Sequence, residues 1–345
     1  MIAASSLSDQ PHNRLEPLPR KQWQQLLADA IKDPAELCRE LGLDPAVLAG
    51  ALPAARDFPL RVPRSFVAKM RRGDPRDPLL LQVLPAQAET ATVAGYVADP
   101  VGDLASRASH GLLHKYAGRA LLIATGACAV HCRYCFRRHF PYADESALSD
   151  GWDSALRHLQ SDTELTELIL SGGDPLSLSD RRLQQLTDGL AKIPHVRRLR
   201  IHTRYPVVLP ERIDRDFIAW LSAVPLQKVI VLHANHSREI DGATRDACLR
   251  LREAGATLLN QSVLLAGIND DAATLAALSE ALFECGVLPY YLHLLDRVQG
   301  AAHFDVAENT ALALHEELTA RLPGYLVPKL VREIAGAAAK TPVRP

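Results

Sequence analysis

Short apolar runs alternate with stretches of helical periodicity through the middle of the chain. The runs fall at residues 119–125, 167–171, 199–203, 228–233, 257–264 and 288–294. Helix-like segments at 152–160, 179–192, 214–222, 243–254 and 272–284 lie between them. This rhythm predicts parallel βα units. A full barrel of such units has eight; six leave a partial barrel and a doubly wound sheet both open. Ahead of them, residues 21–31 place Trp23, Leu26, Leu27 and Ile31 on one helical side. Asp33-Pro34 and Asp44-Pro45 each open a further short helix, with Asp as N-cap and Pro in the first turn. Nothing basic decorates the third helix, so a packing role is expected rather than DNA reading. Proline density across 60–84 predicts a wrapped, irregular segment whose role the sequence leaves unread.

The predicted strands end in polar residues, as an active site at the mouth of a parallel barrel requires. These are Ser171-Gly172-Gly173-Asp174, His202-Thr203-Arg204, His233-Ala234-Asn235-His236 and Asn260-Gln261-Ser262. Each could be a satisfied core group or a plain turn; their repetition at successive strand ends favours a polar cavity. Spacing would let His233 and His236 share a metal, but the core reading is preferred.

Composition adds bounds. The 345 residues are 48% hydrophobic and 23% charged, with a net charge of −1, ordinary for a globular protein and no reason to expect direct nucleic-acid binding. The N-terminus, residues 1–19, reads as neither a signal peptide nor a membrane span, and a cytoplasmic protein is expected. Three of six cysteines crowd into one stretch, which argues for a reducing compartment and a metal site rather than disulfides.

That stretch follows the first predicted strand. Cys128, Cys132 and Cys135 stand in a C-x3-C-x2-C spacing. Thiolates select zinc, copper or iron–sulfur clusters. A closed zinc site takes four ligands, and no second ligand pair follows at zinc spacing. A [4Fe–4S] cluster normally takes four cysteines; three leave one iron open to a small molecule.

C-x3-C-x-φ-C, with Tyr134 before the last cysteine, resembles the radical S-adenosylmethionine (SAM) signature. Cys-Arg-Tyr-Cys-Phe-Arg-Arg is similar to the lysine 2,3-aminomutase family, closest to the branch that serves β-lysylation of elongation factor P. The resemblance runs from about residue 23 to 342. It implies an α/β fold, a partial (β/α)6 TIM-like barrel of the radical SAM type with a helical N-terminal accessory region. The expected divisions are 1–110, accessory region; 111–300, core; and 301–345, the segment carrying the pyridoxal 5′-phosphate (PLP) lysine.

The resemblance also assigns roles. Cys128, Cys132 and Cys135 would hold a [4Fe–4S] cluster. Tyr134, Ser171, Gly172, Gly173, Asp174 and Gln261 would contact SAM. His114-Lys115-Tyr116-Ala117-Gly118-Arg119 matches a phosphate-binding stretch that reads His-Arg-Tyr-x-x-Arg in the family. Lys115, Tyr116 and Arg119 would therefore hold PLP, with Lys115 a point charge where arginine offers a fork. Lys340 would carry PLP covalently, in a run where three of the family's glycines are alanines. Arg137 would bind the substrate carboxylate, and Asp296 and Glu333 the distal ammonium of lysine. Glu333 stands where the family has Asp. Cys248 matches a zinc ligand of longer relatives whose partners lie in an extension beyond this chain's last residue. No structural zinc is expected, and Cys248 reads as helix packing.

The implied activity is L-lysine 2,3-aminomutase: an isomerase that turns L-α-lysine into β-lysine. The implied partners are L-lysine, a one-electron donor such as flavodoxin or ferredoxin, and, through the branch, elongation factor P and its lysyl-tRNA-synthetase-like ligase. No membrane is expected, and a homo-oligomer is left open. The alternatives are free β-lysine for other metabolism and, from another class, a non-catalytic metal-binding interaction module.

Overall fold

The computed structural model describes residues 21–143, 145 and 152–344; the expectation for residues 1–19 lies outside them. Five short helices come first: α1 (Gln22–Ala28), α2 (Pro34–Leu41), α3 (Ala46–Asp57), α4 (Arg64–Val67) and α5 (Pro78–Leu81). The Asp-Pro device works as its chemistry demands. Asp33 accepts from the Ala35 amide at 3.0 Å, and Asp44 from Ala46 at 2.8 Å. Trp23, Leu37, Leu41 and Phe66 are buried in the same core as the barrel strands.

The segment 60–84, unread from sequence, turns on Asp77. This fully buried carboxylate accepts from the amides of Leu79 at 2.8 Å and Leu80 at 3.1 Å, capping α5. Its other oxygen accepts from the Arg71 amide and from Arg238, at 2.9 and 2.6 Å. Burial pushes its pKa up, but these donors outweigh burial and hold it below the usual carboxylate range.

A hairpin, β1 (Arg107–Ser109) and β2 (Leu112–Tyr116), leads antiparallel into β3 (Arg119–Thr125). Then come α6 (Asp153–Ser161), β4 (Glu167–Gly172), α7 (Asp180–Leu190), β5 (Arg198–Thr203), α8 (Tyr205–Val208), α9 (Arg215–Ala223) and β6 (Gln227–His233). After these follow α10 (Gly242–Glu253), β7 (Ala256–Val263), α11 (Ala272–Glu284), β8 (Leu288–His293) and α12 (Glu308–Arg321). Strands β3 to β8 pair in sequence order, all parallel. This is the partial barrel; in-order pairing excludes a doubly wound sheet, whose strand order reverses.

The parallel run goes one strand beyond the six expected. β9 (Lys329–Arg332) joins β8 in parallel, and β10 (Thr341–Pro342) folds back antiparallel on β9. Among the described residues the sheet has ten strands in chain order, and β1 and β10 do not pair, so the barrel stays open. The β9–β10 turn carries Lys340. No described helix is long and apolar enough to cross a membrane.

Candidate active site

The cysteine loop leaves the C-terminal end of β3 and is fastened at both sides. Toward the barrel, the amides of Gly173 and Asp174 donate to the carbonyls of Thr125 and Ala127, at 2.7 and 2.8 Å. A Cβ on Gly173 would lie 2.6 Å from the Ala127 oxygen, so this contact requires glycine. Gly172 takes a φ of +102°, in the region glycine alone enters freely. The glycine pair thus welds the end of β4 to the cysteine loop.

Toward the accessory helices, the clamp is Glu89. It accepts from Arg133 Nε at 2.9 Å and from Arg138 Nη2 at 2.8 Å, with both arginine side chains and Glu89 out of solvent. The two guanidinium groups also stack on the Phe58 ring at 4.8 and 4.7 Å. Arg133 reaches the Phe58 carbonyl at 2.7 Å, and Arg138 the Gly300 carbonyl at 3.0 Å. The accessory region therefore buttresses the loop.

Cys128, Cys132 and Cys135 line a cavity of about 490 Å³. Burial pushes the Cys128 thiol well up and the Cys135 thiol to about 11, and neighbouring sulfurs add to both shifts. Such thiols need a bound cation to shed their protons. Among the described residues, the only trio of His, Cys, Asp or Glu ligand atoms within 4.8 Å of one another lies elsewhere. At least one pair of the three sulfurs is therefore farther apart than the about 4 Å that zinc–sulfur bonds of about 2.3 Å impose. Three thiols bordering one cavity are a donor set that an iron–sulfur cluster accepts. Cys38, Cys248 and Cys285 are buried and do not line the cavity; Cys248 sits in α10.

Arg204, at the end of β5, donates to Cys132 Sγ at 2.8 Å. Its other nitrogen meets Gln82 at 2.6 Å and Glu239 at 2.9 Å. Asp174 accepts from Thr203 at 2.7 Å and from the Arg204 amide at 2.7 Å, which ties the β4 and β5 ends together. Burial still raises its carboxyl to about 6. Tyr134 is buried, takes a hydrogen bond from Asn235 at 2.7 Å and stacks on His233.

The same cavity receives Lys340, Glu333 and Asp296. Lys340 Nζ donates to Glu333 Oε2 at 2.6 Å. Burial raises Glu333, but Lys340 and then Lys115 overcome it and hold the carboxyl at about 2. Asp296 has no such partner close by. Burial, and next the Glu333 charge, push it to about 7. Lys115, Tyr116 and Arg119 line the same wall, with Arg119 stacked over the Tyr116 ring at 4.7 Å. Arg137 also borders the cavity and donates to Ser171 Oγ at 3.1 Å. Gln261, on β7, completes the set of sequence-expected residues; every one of them borders this cavity. An amine, a carboxylate partner and a bank of cations on one wall fit an aldehyde cofactor bearing a phosphate.

Several cavity residues carried no sequence signal. Asp103 is buried and bridges Lys115, at 2.7 Å, and Arg137, at 2.6 Å. It precedes the hairpin by only a few residues, but nothing in its local sequence marks it. Tyr291 and His293 on β8 also line the cavity. His202, His233 and His293 are driven low by burial, His233 to about 3, so the cavity's imidazoles are neutral.

Known proteins resemble this chain over nearly all of its length. An L-lysine 2,3-aminomutase of Escherichia coli (strain K12) is 50% identical over 94% of this chain and 95% of its own length. Those of Haemophilus influenzae and Buchnera aphidicola are 46% and 42% identical, over 94% and 93% of this chain and 97% and 95% of theirs. No family model matches. With half its residues shared end to end with such an enzyme, the chain belongs to the L-lysine 2,3-aminomutase family, isomerases that work with a [4Fe–4S] cluster, SAM and PLP.

Proposed function

We propose that this chain converts L-α-lysine into (R)-β-lysine for attachment to elongation factor P, using PLP at Lys340. The observation that carries the reading is one cavity of about 490 Å³ bordered both by the three thiols and by Lys340, Glu333 and Asp296. When bound, the cluster with SAM supplies a carbon radical, and PLP stabilises the nitrogen shift between neighbouring carbons.

The chain's own residues bind, orient and shield. Cys128, Cys132 and Cys135 would hold the cluster, with Arg204 offsetting the Cys132 charge. Tyr134, Ser171 to Asp174 and Gln261 would cradle SAM. Lys115, Tyr116 and Arg119 would hold the phosphate. Arg137 would grip the substrate carboxylate bidentately. Glu333 and Asp296 would take the distal ammonium, and Glu333 already holds an equivalent group, the Lys340 ammonium. Burial excludes water that would quench a radical.

An anaerobic assay with lysine, SAM, PLP and a reductant tests the reaction: β-lysine should form, and none with Lys340→Ala. Chiral chromatography of the product checks the isomer. Deleting the gene and weighing elongation factor P tests the destination; an unchanged mass rejects it.

A further inference from the structure

We propose a second metal site, for one zinc-like divalent cation, outside the cavity at His114, His158 and Asp162. These three offer the only ligand trio, among the described residues, whose atoms all lie within 4.8 Å of one another. Two imidazoles and a carboxylate form a donor set that zinc accepts, and bonds of about 2.0–2.2 Å need only small side-chain shifts to close on it. The site is distinct from Cys248, which is buried in α10.

The local structure supports a cation here. His158 and Asp162 stand four residues apart at the end of α6, so they share one helical face. His114 comes across from β2, its ring 6.5 Å from that of His158, centre to centre. The Nε2 atom of His158 is shut off from solvent and meets no hydrogen-bond partner, a state that buried polar atoms rarely keep. Asp162 is the C-cap of α6. A carboxylate there faces the negative end of the helix dipole, and a cation beside it relieves the repulsion. One oxygen accepts from the Glu164 amide at 3.1 Å, leaving the other to bind an ion.

The site has a structural purpose. His114 adjoins Lys115 and Tyr116, which border the cavity, but does not border it itself. A metal would clip β2 to α6 and so fix the strand that presents those two residues.

Cobalt(II) titration into the anaerobic, cluster-loaded enzyme tests this, because occupied cysteines cannot compete. About one equivalent should bind and give visible d–d bands without thiolate charge transfer. His158→Gln and Asp162→Asn should each weaken binding at least about tenfold. Zinc should raise the melting temperature of the wild type and not of the variants. Wild-type enzyme that takes up no cobalt overturns the site, as does uptake unchanged in both variants or marked by thiolate bands. Because the wild-type titration decides alone, a variant that fails to fold leaves the answer intact.

Discussion

Asp296 and Glu333 lie in the same cavity yet are held at opposite ends of the carboxylate range, about 7 and about 2. The difference is that Lys340 and Lys115 touch Glu333 directly, at 2.6 and 3.4 Å, whereas on Asp296 burial and the Glu333 charge outweigh the same two ammonium groups acting from farther off. The sign of the consequence is fixed. Between the ordinary Asp range and about 7 the folded chain keeps a proton that the unfolded chain has lost, so stability falls as pH rises through that window. Asp296→Asn should therefore melt higher than wild type at about pH 8, with the gap closing toward about pH 5. Calorimetry of the two proteins across that range checks it. Lysine affinity of the wild type should weaken as pH falls below about 7, since the protonated carboxyl cannot pair with an ammonium; equilibrium binding of lysine reads this directly.

Asp103 makes a second prediction at this scale. It neutralises two cations that face anions in the proposed complex. Asp103→Asn leaves Arg137 without a buried counter-charge and Lys115 with Glu333 alone, which should destabilise the cofactor-free chain by about 3–5 kcal/mol. PLP should restore much of the loss, so the melting shift on adding PLP should be larger in the variant than in wild type.

At the scale of elements, the cysteine loop is held by contacts from far away in sequence. Glu89→Gln leaves Arg133 and Arg138 without a carboxylate and should cost about 3–5 kcal/mol, measurable by denaturant unfolding. Gly173→Ala forces a methyl group into the Ala127 carbonyl, worth about 1–3 kcal/mol of strain. Iron retained per chain after anaerobic reconstitution should drop in Gly173→Ala. These contacts explain what could be read early and what could not. Cys128, Cys132 and Cys135 announce themselves because a ligand set needs particular atoms at short spacing. The six barrel strands do so because buried parallel strands are continuous apolar runs. Glu89, Asp103 and Gln82 give no local signal; each is defined by a partner tens of residues distant or more. Arg204 stands in a polar strand end, but its pairing with Cys132, 72 residues away, could not be read there. β9 escaped because it is four residues long and follows Pro328, with too few positions for a period to appear.

For the whole molecule, the open parallel sheet sets the thiols at the end of its first parallel strand and Lys340 just beyond its last. The barrel's curvature returns these two ends of the chain to one cavity. The family resemblance supplied Lys340, Asp296 and Glu333 from short motifs; their neighbourhood with the cysteines follows only from the curvature of the open sheet. A lysine five residues from the last position has no local feature separating it from a solvated tail, and β10 pairing with β9 is what turns it inward.

The central claim is that chemistry begun at the thiol end reaches a lysine substrate held at the Lys340 end. An anaerobic single turnover with L-lysine deuterated at its β-carbon tests this, by mass spectrometry of the recovered 5′-deoxyadenosine. Deuterium in 5′-deoxyadenosine is the result expected. SAM cleavage that leaves 5′-deoxyadenosine without deuterium, while lysine is bound, would contradict it.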